Sequence, residues 1–274
     1  MISHLSDHQL ERYSRQIILD EVGEDGQIKL LNSKILVIGA GGLGSPVLMY
    51  LTAAGIGTIG IIDDDTVDVS NLQRQIIHHH SRLGQNKAYS AAQSLNQLNP
   101  ENLLRIYPQR LDKQNIVSIL SDYDLIIDGS DNFPTRYLVH DCCFLLKKPL
   151  MSAALLRFEG QISTFKGYLG APHPCYRCVF PEPPQAGSVP RCQTAGILGS
   201  VAGTMGTFLV TETLKEILSI GHGLSGQMLL YDALDQTLNR IGITKQLNCP
   251  FCSKPGNLSD LIQHDEVIDT CQIR

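Results

Sequence analysis

The stretch Lys34-Ile35-Leu36-Val37-Ile38-Gly39-Ala40-Gly41-Gly42-Leu43-Gly44 constrains this chain more than any other. An aliphatic run enters a glycine-dense turn, and a helical pattern from Ser45 to Ala54 comes at once after it. The order reads as strand, tight turn and helix N-terminus. Gly39, Gly41, Gly42 and Gly44 let the backbone approach a phosphate closely, and the helix start presents free N–H groups and a positive dipole end. Taken alone, such a turn suits a dinucleotide as well as ATP, so its neighbours must decide.

A second strand, Thr58 to Ile62, ends in Asp63-Asp64-Asp65. Asp63 falls about 20 residues after the glycines, where a nucleotide-binding fold places the carboxylate that takes ribose hydroxyls. The segment Asp68-Val69-Ser70-Asn71-Leu72-Gln73-Arg74-Gln75 is too polar for a core and too particular for a linker. Arg74 carries a planar fork suited to phosphate. Lys87 opens a helix that runs to Leu98. A cation in a first helical turn opposes the dipole, so an anion is expected beside it. A strand from Tyr123 to Asp128 runs into Gly129-Ser130-Asp131-Asn132. Strand C-terminal ends are where open α/β sheets bind ligands. Asp131 is therefore placed to hold Mg²⁺ beside a triphosphate, while Asp131 or Asn132 can also cap the helix that starts at Pro134.

The remaining elements extend this pattern. Ser6 to Asn32 reads as helical, with Arg12 and Arg15 one turn apart and, from spacing alone, solvated. Leu103 to Tyr107 and Pro149 to Ala154 read as strands, Ile116 to Leu120 as a short helix, and Cys142 and Cys143 as small core residues. Gly160 to Phe165 and Leu229 to Ala233 look antiparallel. The expected fold is α/β: a Rossmann-like sheet whose parallel N-terminal half is extended by antiparallel strands. One domain over 1–274 is expected, with a nucleotide-binding half at about 30–150, a second half at about 151–255, and a tail at 256–274. His78-His79-His80 is read as a local turn or surface feature, because consecutive side chains do not converge on one ion.

Cys175-Tyr176-Arg177-Cys178 and Cys249-Pro250-Phe251-Cys252 are two Cys-x-x-Cys knuckles. Four thiolates suit tetrahedral Zn²⁺ and leave it no open position, so Cys175, Cys178, Cys249 and Cys252 predict a structural clip tying the C-terminal region to a distant loop. A further cysteine, Cys192, closes a proline-rich stretch from Phe180 and precedes a long apolar helix ending at Leu218. Arg191 and the helix start favour a lowered thiol pKa, while a buried apolar cysteine fits equally well.

Composition excludes several classes. The 274 residues are 43% hydrophobic and 18% charged with net charge −5, which gives no basic surface for nucleic acid. No apolar run reaches the roughly 18 to 20 residues of a membrane helix, and Met1 to Asp7 carries no secretory pattern. A cytoplasmic protein is expected, in which paired cysteines mean metal before disulfide.

Together these motifs resemble the ThiF/MoeB/HesA family, the bacterial relatives of ubiquitin-activating enzymes. Gly39-x-Gly41-Gly42-Leu43-Gly44, Asp63-x-Asp65, Ser70-Asn71-Leu72-x-Arg74-Gln75, Gly84-x-x-Lys87, Asp131-Asn132-x-x-x-Arg136 and the paired knuckles occur in the family's order, from Arg12-Tyr13-Ser14-Arg15-Gln16 to Cys252. The resemblance implies adenylation, with Mg-ATP, of the C-terminal glycine of a small ubiquitin-like sulfur carrier ending in Gly-Gly. It implies that Asp63 holds the ribose, that Asn71, Arg74 and Lys87 contact phosphates, that Asp131 binds Mg²⁺, and that Arg15 reaches the ATP of a partner in a homodimer. Cys192 matches a mobile-loop cysteine that bonds covalently to the carrier in some members and is dispensable in others. A stand-alone activator is expected, with sulfur donated by other proteins, for thiamine or molybdopterin sulfur transfer; Arg191-Cys192-Gln193-Thr194-Ala195-Gly196 is nearer the thiamine-type pattern. Two other readings are an NAD-dependent oxidoreductase, which leaves Arg74, Lys87 and the knuckles unexplained, and a non-catalytic carrier-binding scaffold.

Overall fold

The computed structural model describes residues 2–184 and 196–263. Two helices, α1 (Asp7–Ile17) and α2 (Gly23–Asn32), precede the first strand, β1 (Lys34–Ile38). Next come α3 (Gly44–Ala54), β2 (Thr58–Ile62), α4 (Lys87–Leu98), β3 (Leu103–Tyr107), α5 (Ile116–Ser121), β4 (Leu125–Asp128), α6 (Phe133–Leu145) and β5 (Leu150–Leu156). The second half supplies β6 (Glu159–Phe165), α7 (Tyr176–Val179), α8 (Gly199–Leu218), β7 (Gln227–Asp232) and β8 (Thr237–Gly242).

The strands form one eight-stranded sheet in the order β3-β2-β1-β4-β5-β6-β7-β8. β1 pairs in parallel with β2 and β4, β2 with β3, and β4 with β5; from β5 onward every pairing is antiparallel. The parallel half thus gives way to antiparallel strands within one continuous sheet, as expected. Alternation along β1 explains its unbroken aliphatic run: Ile35 and Val37 enter one core with α3, α4 and α8, while Leu36 and Ile38 enter the other with α5 and α6. Both faces of β1 are thus covered.

Two departures have simple causes. The expected continuous helix from Ser6 to Asn32 is two helices, because the buried stripe through Tyr13 stops at Ile18 and Leu19, which are exposed. β8 has no counterpart among the expected strands: every residue from Thr237 to Gly242 is exposed, so an edge strand shows no apolar alternation to read. Among the described residues no helix is long and apolar enough to cross a membrane.

Candidate functional site

The glycine turn lies at the C-terminal end of β1, between the ends of β2 and β4. Gly39 has φ +89°, a conformation that an L side chain strains to adopt. A Cβ on Gly44 would sit 1.8 Å from the Gly39 carbonyl oxygen, so only glycine lets α3 begin this close to the turn.

Ala40, between the glycines, is held from two sides. Its N–H donates to Asp63 Oδ2 at 2.8 Å, and its carbonyl meets His78 Nε2 at 2.9 Å. A carbonyl only accepts, so His78 carries its proton on Nε2, and Nδ1, 2.9 Å from Ser90 Oγ, accepts. Burial pushes the His78 imidazole down to about 4, so it is neutral at pH 7. This corrects the surface reading of the histidine run. His79 and His80 are exposed, but His78 is buried and fastens the polar segment to the turn. Its sequence signal was its place directly after Ile77, which is buried, although Ile76 is exposed.

The segment 68–75 covers the turn. Asp68 Oδ1 accepts from Ser70 N–H at 2.8 Å and from its hydroxyl at 2.6 Å, and Arg74 Nη1 donates to the Ser70 carbonyl at 3.0 Å. The Arg74 stem lies over Gly42: its Cγ is 3.5 Å from the point where a Cβ on that glycine would stand. Gln75 lies likewise over Gly41, with Nε2 3.7 Å from the corresponding point. Its Oε1 is buried without a hydrogen-bond partner, an unusual state for a side-chain oxygen.

Asp63 Oδ1 takes the Asp65 N–H at 2.9 Å. Burial pushes the Asp63 carboxyl up, opposed by the Lys87 charge and the two amide donors. Lys87 stands in the first turn of α4, where Asn86 caps the helix by accepting from Ala88 N–H at 2.9 Å. The anion expected beside it is present: Lys87 Nζ lies 2.9 Å from Asp65 Oδ2.

At the end of β4, Asp128 is buried and accepts from the Ser130 N–H at 3.0 Å and hydroxyl at 2.6 Å. Asp131 is exposed, while Asn132 Oδ1 caps α6 by accepting from Thr135 N–H at 2.9 Å. The capping role falls to Asn132, which leaves the Asp131 carboxylate unused by the helix. Arg136, from the first turn of α6, donates to the Ser130 carbonyl and lies 3.9 Å from Asp128 Oδ2.

Arg15 does not join this group within one chain. α1 packs on the far end of α3: Gln16 Nε2 donates to the Ala54 carbonyl at 3.1 Å, and Tyr13 crowds Gly55. The glycine turn lies at the other end of α3, about 15 Å away at 1.5 Å per residue. Arg12 and Arg15 are both exposed. Cys192 lies outside the described residues.

The four knuckle cysteines meet. Their ligand atoms all lie within 4.8 Å of one another, with Sγ separations of 3.7 Å for Cys175–Cys178 and 3.6 Å for both Cys175–Cys249 and Cys178–Cys252. A tetrahedron of Zn–S bonds of about 2.3 Å has edges of about 3.8 Å, so the donor set fits Zn²⁺. Donors already point at the sulfurs: Lys245 Nζ at 3.1 Å from Cys252 Sγ and Gln246 N–H at 3.4 Å from Cys178 Sγ. All four cysteines are buried, and burial pushes the Cys175 thiol up, a cost that metal binding removes. Cys142 and Cys143 are buried core residues, as expected.

A buried ion pair beside the clip went unread in the sequence. Arg177 donates from Nε and Nη2 to Asp141 of α6 at 2.9 and 2.7 Å, and His140 Nδ1 lies 2.8 Å from the same carboxylate. Its signal was two polar residues, His140-Asp141, within the apolar run Leu138 to Cys143.

Comparison with known proteins agrees with this geometry. Residues 13–251 match the ThiF family. The SAMP-activating enzyme E1 of Haloferax volcanii is 44% identical over 265 residues, 97% of this chain and 96% of that protein. A sulfur carrier protein adenylyltransferase of Thermus thermophilus is 44% identical over 262 residues, covering 94% of this chain and 96% of that protein. Among solved structures, E. coli MccB with ATP superposes with a TM-score of 0.75 over 89% of this chain and 75% of that chain, at 20% identity, a likeness of fold. With the glycine turn, the polar segment over it and the cysteine clip all in place, the chain belongs to the ThiF family.

Proposed function

We propose that this protein is an ATP-dependent adenylyltransferase that activates the C-terminal glycine carboxylate of a ubiquitin-like sulfur carrier. The observation that carries this reading is the convergence of Arg74, Lys87 and the Asp131 loop around one glycine turn at the C-terminal ends of parallel strands. The names of the relatives, a sulfur carrier protein adenylyltransferase and an E1, support the same class.

The reaction asks for positioning and charge neutralisation. A carrier carboxylate oxygen attacks the α-phosphorus of ATP in line with the leaving pyrophosphate, giving acyl-AMP. The glycine turn cradles phosphate, and Asp63, held rigid by two amides, accepts from the ribose hydroxyls. Lys87 stands neutralised by an exposed carboxylate, so phosphate oxygens can replace Asp65 without leaving a bare buried charge. Arg74 and Asn71 reach the phosphates from the covering segment. Asp131 would hold Mg²⁺, which would supply charge neutralisation on the phosphates. Cys175, Cys178, Cys249 and Cys252 would hold a structural Zn²⁺.

Arg15 acts in trans. Its separation from the turn in its own chain is the reason to assign it to the site of a second copy, making the working unit a homodimer. Sulfur reaches the activated carrier from a separate donor protein in the cytoplasm, for thiamine or molybdopterin synthesis. Replacing Cys192 with Ser in the reconstituted transfer tests a covalent step at that thiol; full transfer by the variant removes it.

Pyrophosphate exchange is the test of the whole reading. Label should enter ATP only with a carrier ending in Gly-Gly, and Asp131→Ala should abolish exchange while leaving the melting temperature unchanged. Carrier binding without any exchange would instead mark a scaffold.

A further inference from the structure

Tyr176 and Arg177 occupy the two positions between the first pair of clip cysteines, and both face α6. Arg177 makes the bidentate pair with Asp141, its guanidinium 4.7 Å from the Tyr137 ring centroid and 5.5 Å from that of Phe251. Tyr137 belongs to α6 and Phe251 to the second knuckle. One buried cation therefore joins both halves of the clip to the helix. Tyr176 packs edge-on against Tyr137 at 5.3 Å, and its hydroxyl is hydrogen-bonded to Arg136 beside a small pocket that both residues line.

The same helix begins at the proposed magnesium loop. Arg136 continues from Tyr176 to the Ser130 carbonyl, and Ser130 is tied in turn to Asp128. Asn132 is fixed by its cap on Thr135. The residues before and after Asp131 are thus both anchored by the first turn of α6, and that turn is anchored by a side chain from the clip. A displaced knuckle withdraws the Tyr176 hydroxyl from Arg136, and Arg136 then loses one of the groups that aim it at Ser130.

We infer that the cysteine clip sets the position of the 129–132 loop through α6, with Tyr176 and Arg177 as positioning residues for Asp131. This rests on the reading of Asp131 as the magnesium ligand and extends it: the clip contributes to nucleotide affinity as well as to stability.

The sharpest variant is Tyr176→Phe, which keeps the ring packing and removes only the hydroxyl. It is compared with wild type in zinc content, melting temperature, amide hydrogen exchange of a peptide spanning 129–132 without nucleotide, and the KM for Mg-ATP in pyrophosphate exchange. The expected result is full zinc and a melting temperature near wild type. Exchange at 129–132 should be faster, and KM should rise about tenfold with a smaller change in kcat, the low end of what partners behind a metal ligand contribute. Chelator removal of zinc from the wild-type chain should loosen the same peptide before the sheet strands exchange. Wild-type exchange at 129–132 in Tyr176→Phe, or loosening after zinc loss that is equal in every peptide, overturns the coupling. Asp131→Asn separates the two readings: retained turnover in that variant removes the magnesium role, while the nucleotide-free exchange data still decide whether the clip holds the loop.

Discussion

Two ion pairs of nearly equal length stand in different parts of this molecule. Lys87 meets Asp65 at 2.9 Å beside the glycine turn, and Arg177 meets Asp141 at 2.7 Å beside the cysteine clip. Their settings differ. The Asp65 side chain is 70% exposed, whereas that of Asp141 is 4% exposed. At the clip, burial would push the Asp141 carboxyl up, but hydrogen bonds from Arg177 and His140 bring it below the usual range. Such a pair is largely withdrawn from water and is held by two parallel hydrogen bonds. At the turn, one partner is buried and the other is wet, so the lysine can change partners at small cost. A fixed pair suits a joint between elements; a pair open on its acidic side suits a site that must take up and release an anion.

Breaking the fixed pair should have the largest effect. Arg177→Met leaves the Asp141 carboxylate buried without its cation and should lower the unfolding free energy by about 3–5 kcal/mol. Denaturant unfolding at pH 7 measures this, and a loss below about 1 kcal/mol, the range of exposed pairs, would erase the contrast. Next is Lys87→Ala, which should reduce kcat for pyrophosphate exchange by about 10²–10³, as for other groups that meet charge developing in a transition state. A change confined to KM would place Lys87 in ground-state binding alone.

The third test uses acid. His78 is held near 4 by burial, below its unfolded value of about 6.5. The unfolded chain therefore takes the proton first. The contribution is complete above pH 6.5 and declines as pH falls toward 4, by at most about 3 kcal/mol at 1.36 kcal/mol per unit. Unfolding measured across this window should show that slope, and His78→Gln should flatten it. The smallest effect belongs to the open pair: Asp65→Asn should change the unfolding free energy by less than about 1 kcal/mol, because Asp63 still faces the Lys87 charge. A larger loss would mean that Asp65 is a structural anchor for Lys87.

The two regions also differ in how far they can be read from the chain. The turn is legible because its chemistry is local. An aliphatic run, Gly39 to Gly44 and a helix start lie within a few residues, and a parallel sheet brings the loops at its strand C-termini to one edge. Spacing likewise predicts the clip, since two Cys-x-x-Cys pairs share one way to satisfy four thiolates. Pairing across sequence escapes such reading. His78 looks like part of a surface histidine run until the fold sets it under Ala40. Arg177 and Asp141 are 36 residues apart, and nothing in either neighbourhood names the other. β8 escapes for the reverse reason: an exposed edge strand buries nothing and leaves no apolar period.

By itself, then, the sequence determined the parallel half of the sheet with its glycine turn and the grouping of the four paired cysteines, because hydrophobic period, glycine spacing and thiol count act over short range. Only the tertiary structure decided which partner each charge takes. Lys87 finds Asp65, Ala40 is held between Asp63 and His78, and Arg177 reaches across the clip to α6. A buried charge is stable only beside a partner, and packing alone determines which groups share a dry space.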